Sequence, residues 1–143
     1  MSYKVPFVNI PRQYQNLKDE ILKIFDNVLL RGDLILRKDV EEFEKNIASF
    51  VGTKYAVGLN SGTDTMFLSL MALGIGPGDE VITVSHTFVA PIAVIVNAGA
   101  KPILVDAKDD FTMDVDKLEE AITLKTKAII PVHLNGRVCE MDK

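Results

Sequence analysis

A chain of 143 residues has room for one domain with a real core and not for two comfortable ones. Hydrophobic residues make up 48%, charged residues 25%, and the formal net charge is −4, the composition of a folded globular protein rather than a disordered one. Lys and Arg are scattered singly, which speaks against a nucleic-acid surface; no apolar run approaches bilayer length, which speaks against a membrane partner. The N-terminal stretch MSYKVPFVNIPRQYQ lacks the apolar core of a signal peptide, and Cys139, as the one cysteine, excludes an internal disulfide. The expectation is a cytoplasmic α/β protein.

In chain order, an extended start marked by Pro6 and Pro11 leads to a helix predicted from about Tyr14 to Leu30. Leu17, Ile21, Ile24 and Val28 recur there at helical spacing, and Leu22, Phe25 and Leu29 widen the stripe. Arg31, Gly32 and Asp33 break it. A second helix, roughly Lys38 to Phe50, sets Val40, Phe43, Ile47 and Phe50 on one face and ends at Gly52.

A regular alternation follows. Strand-like apolar runs occur at Tyr55–Leu59, Val81–Val84, Ile103–Val105 and Ala128–Val132, with helical segments between them at about Thr63–Leu73, Ala90–Asn97 and Val115–Ile122. Strands apolar throughout and separated by helices predict a mostly parallel sheet with flanking helices, buried on both faces. The turns GIGPGDE and NAGAKP supply the Gly/Pro punctuation between helix and strand. The fourth run, KAIIPVHLNG, is followed only by RVCEMDK, whose MDK reads like the opening of another helix. The expectation is one incomplete domain over 1–143, with N-terminal helices over 1–52 and the sheet region over 53–143.

The stretch YAVGLNSGTDT places Asn60, Ser61, Gly62 and Thr63 where a strand hands over to a helix. Two readings stand. Asn60, Ser61 or Thr63 caps the helix, with Asp64 favourable in its first turn. Alternatively the segment cradles a phosphate: the N-terminus offers unpaired N–H groups and partial positive charge, Gly62 lets the backbone approach closely, and Ser61 and Thr63 add hydroxyls. Neither GxxxxGKS/T nor GxGxxG is present, so a nucleoside triphosphate or dinucleotide has little support. The next strand ends in VSHTFVAP, which puts His86, Thr87 and Phe88 at the same sheet edge, where ligands of open parallel sheets collect. Phe88 is there either a core residue or an aromatic surface for a flat heterocycle, and His86 either a solvated group or part of the site. A phosphate grip and a ring contact on one edge would suit pyridoxal phosphate.

In consecutive order VPFVNIPRQY, GDLILRKDVEEFEKNIASFVGTKYAVGLNSGTDT, ALGIGPGDEVITVSHTFVA and ITLKTKAIIPVHLNGRVCEMD, nearly the whole chain, resemble the DegT/DnrJ/StrS family of sugar aminotransferases. The resemblance implies the N-terminal part of the large domain of the aspartate-aminotransferase-like (fold type I) architecture, with pyridoxal phosphate as cofactor. It implies a cofactor-binding role for Ser61, Gly62 and Thr63, largely through backbone N–H groups, and for Phe88 as the residue stacked on the pyridine ring. His86 and His133 are implied as substrate-side or supporting residues, with plain packing an equal alternative for His133. Arg31 and Gly32 fall in a segment that in the family lies near the active site across a homodimer. Asp106, Cys139 and the run Glu41, Glu42, Glu44 read as structural or solvated, and no metal site is implied.

By the same resemblance the Schiff-base lysine and the carboxylate beside the pyridinium nitrogen fall beyond Lys143, so no catalytic residue is assigned within the chain. The expected activity is transfer of an amino group, from glutamate or a similar donor, to a nucleotide-linked keto-sugar. The chain alone is expected to be inactive, to bind the cofactor weakly if at all, and to associate through its uncovered sheet edge. The alternatives are a dehydratase of the same family and a non-catalytic remnant.

Overall fold

The structure, a computed structural model, describes residues 5–32 and 34–143; Asp33, expected to help break the first helix, lies outside the described residues. The described chain falls into two compact units, Met1–Gly58 and Leu59–Lys143.

The first unit holds two helices. Helix α1, Ile10–Arg31, starts earlier than its apolar stripe suggests and takes in Pro11, expected in an extended segment. Proline is tolerated in a first turn because its missing N–H would have no intrahelical partner, and the Asn9 side chain caps the Arg12 N–H at 3.1 Å. Gly32 closes α1 in left-handed backbone. Helix α2, Lys38–Val51, ends at Gly52, also left-handed. The Arg31 guanidinium pairs with Asp39, tying the end of α1 to the start of α2. No residue of α1 is buried among the described residues.

Residues Tyr55–Leu59 do not form the expected strand. A strand needs a neighbouring strand to take its backbone groups, and among the described residues the three strands of the sheet do not include this segment. Instead the Gly58 N–H donates to Glu44 Oε1 of α2 at 2.7 Å, and the Thr53 hydroxyl donates to Tyr55 O at 3.0 Å. The first unit ends at Gly58.

The second unit alternates helix and strand: α3 Gly62–Ala72, β1 Glu80–Val84, α4 Ala90–Asn97, β2 Lys101–Val105, α5 Val115–Ala121, β3 Thr126–Ile130, then a 3-10 turn at Leu134–Gly136. The strands form a parallel sheet in the order β2-β1-β3. Central β1 is buried along its whole length, and successive side chains point to opposite faces. Val81 joins Leu70, Ile75, Val94, Ile95, Ala98 and Ala100 under α3 and α4. Val84 joins Met113 and Cys139, with Ala107, Leu118 and Val132 around them.

Burial on both faces holds for β1 only. In β3 half-buried and exposed positions alternate, with Lys127 and Ile129 exposed, and β2 is largely open. These are the sheet's outer strands, covered on fewer sides than β1. β3 is shifted two residues toward the N-terminus of its expected run, and it stops before Pro131, which has no N–H for the ladder. Among the described residues no helix is long and apolar enough to cross a membrane.

Candidate cofactor site at the C-terminal edge of the sheet

Because the strands are parallel, Val84, Val105 and Ile130 end on one edge. Helices α3 and α4 pack on each other, and the turn after α3 lies against the end of α4: a methyl group at Gly99 would meet the Pro77 ring at 3.0 Å. Both helices thus end where the strands begin. The 11 residues of α3 span about 16 Å at 1.5 Å per residue. Five residues of strand span about the same at 3.3 Å per residue. The N-terminus of α3 therefore reaches the level of the strand C-termini, on the edge that carries the β1–α4 loop.

At that N-terminus both readings of NSGT bear on the geometry. Ser61 caps α3: its Oγ accepts the Asp64 N–H at 3.1 Å and its hydroxyl donates to Asp64 Oδ2 at 2.9 Å. Ser61 O accepts from the Thr65 N–H and from the Thr65 hydroxyl, each at 3.0 Å. Ser61 is thus committed to the helix start. The N–H groups of Gly62 and Thr63 precede the first intrahelical bonds and have no acceptor within the helix. Beyond its chain neighbours and its own helix, no heavy atom lies within 4 Å of the point where a side chain on Gly62 would begin, so the backbone there is open to close approach by an anion.

The loop 85–89 begins with a Ser85 N–H to Val105 O bond of 2.8 Å and runs into α4 without a side-chain cap. Phe88 is 73% exposed, so it is not the core residue that one reading allowed. His86 is exposed as well, and its ring meets Phe111 with centroids 5.5 Å apart at a 34° tilt. Nothing in the spacing of apolar residues marked Phe111. The signal available was the triplet Asp-Phe-Thr: Asp110 Oδ1 accepts both the Thr112 N–H (3.0 Å) and the Thr112 hydroxyl (2.6 Å), closing a tight turn with Phe111 at its middle. The same two bonds, the hydroxyl's first, hold the Asp110 carboxyl below its ordinary value of 3.8.

His133 lies past the end of β3, on the same edge. Its Nδ1 accepts the Cys139 N–H at 3.2 Å, which assigns the proton of the neutral ring to Nε2. Cys139, buried, donates its thiol to Val132 O at 3.2 Å, a packing role as expected. Asp106 pairs with Lys117 at 2.9 Å. Arg31 belongs to the first unit. Lys101 and Lys125 stand at the opposite edge, where strands begin. Among the described residues no cluster of His, Cys, Asp or Glu could hold a metal ion.

A model of the DegT/DnrJ/EryC1/StrS aminotransferase family matches residues 15–143. A pleiotropic regulatory protein of Geobacillus stearothermophilus is 43% identical over 140 residues, covering 96% of this chain and 37% of that protein. The UDP-2-acetamido-2-deoxy-3-oxo-D-glucuronate aminotransferase of Pseudomonas aeruginosa is 42% identical over 139 residues, covering 96% of this chain and 39% of that protein. Among solved structures, NtdA of Bacillus subtilis with bound cofactor PMP superposes with a TM-score of 0.92 at 38% identity, over 99% of this chain and 33% of that one. The chain thus spans somewhat over a third of the length of the curated relatives it matches.

Proposed function

The chain belongs to the DegT/DnrJ/EryC1/StrS aminotransferase family, and from that premise we propose that it is the cofactor-binding N-terminal portion of an aminotransferase acting on a nucleotide-linked keto-sugar. The family's cofactor is pyridoxal phosphate. The substrate class rests on the P. aeruginosa relative, an aminotransferase by name whose substrate carries UDP. The observation that carries the proposal is one edge offering the free N–H pair of Gly62 and Thr63 and, in the β1–α4 loop, the exposed ring of Phe88.

These residues fit the group. The Gly62 and Thr63 N–H groups would take the phosphate, aided by the α3 dipole. Phe88 would lie against the pyridine ring, excluding water from one of its faces. Ser61 contributes by fixing the helix start, its hydroxyl being engaged with Asp64. His133 Nε2–H, His86 and Arg31 are assigned to the substrate side, Arg31 in a site completed across a homodimer. When bound, the cofactor supplies an electron sink for charge that develops on a substrate carbon. The amino donor is glutamate or a similar amino acid, and these 143 residues alone carry out no transamination, the reacting lysine and the pyridinium carboxylate being supplied from outside them.

The test compares binding of pyridoxamine phosphate and of inorganic phosphate by titration calorimetry. The expected result is weak, saturable binding with a preference for pyridoxamine phosphate. Gly62→Ala lowers affinity for both ligands about tenfold by crowding the N–H pair, whereas Phe88→Ala lowers it for pyridoxamine phosphate alone, a difference worth about 1.4 kcal/mol. Equal affinity of the wild-type chain for the two ligands would overturn the cofactor reading. Turnover by the chain alone, or borohydride fixation of the cofactor on one of its lysines, would overturn the proposed inactivity.

A further inference from the structure

The loop that presents Phe88 is thinly held. Between the Ser85 N–H bond at its start and the first turn of α4, the side chains of His86, Thr87 and Phe88 make no hydrogen bond among the described residues. Among the described residues its one ring contact is that between His86 and Phe111. Phe111 comes from the next loop along the same edge, after β2, and its backbone is left-handed, with φ 68°. That region suits glycine, and after it Asn or Asp; a bulky side chain there is strained.

Hydrogen bonds on both sides hold the turn around Phe111. The Phe111 N–H donates to Lys108 O and the Lys108 N–H to Thr112 O, each at 2.8 Å. Thr112 is buried and doubly bonded to Asp110, and Arg137 Nη1 donates to Asp110 O at 3.2 Å. The ring gains little from burial in return, being 56% exposed. A large side chain kept in a conformation that favours glycine, and not kept for the core, points to what its ring touches.

We infer that Phe111 is a positioning residue: its ring braces His86, and through His86 it sets the place of Phe88 two residues on. Aromatic pairs tilted at this separation attract beyond their shared burial. The brace crosses from the β2–α5 loop to the β1–α4 loop, so it fixes the cofactor's ring surface without touching the phosphate grip at α3. The consequence for binding rests on the cofactor reading above; the brace itself does not.

Phe111→Gly relieves the strained backbone and removes the ring, so folding is not at risk; Phe111→Leu keeps the bulk without the aromatic face. Three readouts apply to the 143-residue chain. With only two histidines in the sequence, the imidazole C–H signals of His86 are identified by their loss in His86→Asn. In both Phe111 variants they are expected to move toward the positions of an exposed histidine. Amide 15N relaxation is expected to show residues 86–89 more mobile while α4 is unchanged. Affinity for pyridoxamine phosphate is expected to fall about 2- to 10-fold, with affinity for inorganic phosphate unchanged. Unchanged relaxation at 86–89 would overturn the brace, and so would equal losses for both ligands. Mobility gained with no loss of pyridoxamine phosphate affinity would overturn the positioning role. If the wild-type chain does not prefer pyridoxamine phosphate to phosphate, the cofactor reading fails, and relaxation alone decides the brace.

Discussion

The two edges of the sheet are made by the same three strands and are built to opposite ends. At the strand N-termini, Glu80 is 8% exposed and fully engaged: its carboxylate accepts the Thr123 hydroxyl at 2.7 Å and Lys101 Nζ at 3.3 Å, across to a loop and a neighbouring strand. Its backbone N–H donates to Lys125 O at 2.8 Å. At the strand C-termini polar groups and rings are left presented: the N–H pair of Gly62 and Thr63, Phe88, the His86–Phe111 pair and the Nε2 side of His133. A closed edge stabilises; an open one, fed by helix N-termini and loops, is available to a ligand. The difference teaches where a substitution should register, in folding at one edge and in binding at the other.

The largest effect is expected where both edges share support. Ile82 is fully buried in β1, and Ile82→Ala should cost about 2–5 kcal/mol. A loss of that size read from the urea midpoint would take binding down with folding; a loss below 1 kcal/mol would mean that the centre of the sheet is not the common support. Next, Ser61→Ala removes the α3 cap and should cost about 1 kcal/mol. Ser61→Asp restores the cap but sets a carboxylate beside the N–H pair, so stability should recover while phosphate affinity does not. Recovery of both would separate the cap from the anion site and break the contrast between edges.

The smallest effect is the titration of the closed edge. The Thr123 hydroxyl, and then Lys101, hold Glu80 below its ordinary value of 4.5. On acidification the unfolded chain takes up this proton first, so the contribution of Glu80 is present above about pH 4.5 and fades as pH falls through its lower folded value. Thermal melts from pH 7 to 3 should show stability falling with acid, and Glu80→Gln should make that fall shallower. Asp110 and Glu140, also held low by hydrogen bonds, keep part of the slope. Superimposable profiles would remove Glu80 from the account.

The alternation of β1, α4, β2, α5 and β3 was legible because each segment's burial is written in its own residues; α4 falls at Ala90–Asn97, the bounds its apolar run suggested. So was the helix start at NSGT, because Ser at a cap and Asp three residues on form a local pattern. Tyr55–Leu59 misled: apolar residues show that a segment is suited to a strand, not that a neighbour is there to receive its backbone. Phe111 was hidden for a related reason. Its backbone angle is imposed by Lys108, Asp110 and Thr112 acting together, and its partner His86 lies 25 residues away.

By itself the sequence determined the α/β class, the order of the elements and the kinship with sugar aminotransferases, because periodicity, caps and motif order are local properties of a chain. Only the tertiary structure decided that Phe88 stands exposed beside α4 and that His86 leans on Phe111. Those facts depend on which groups remain unpaired once the strands have lined up, and no stretch of sequence holds both partners.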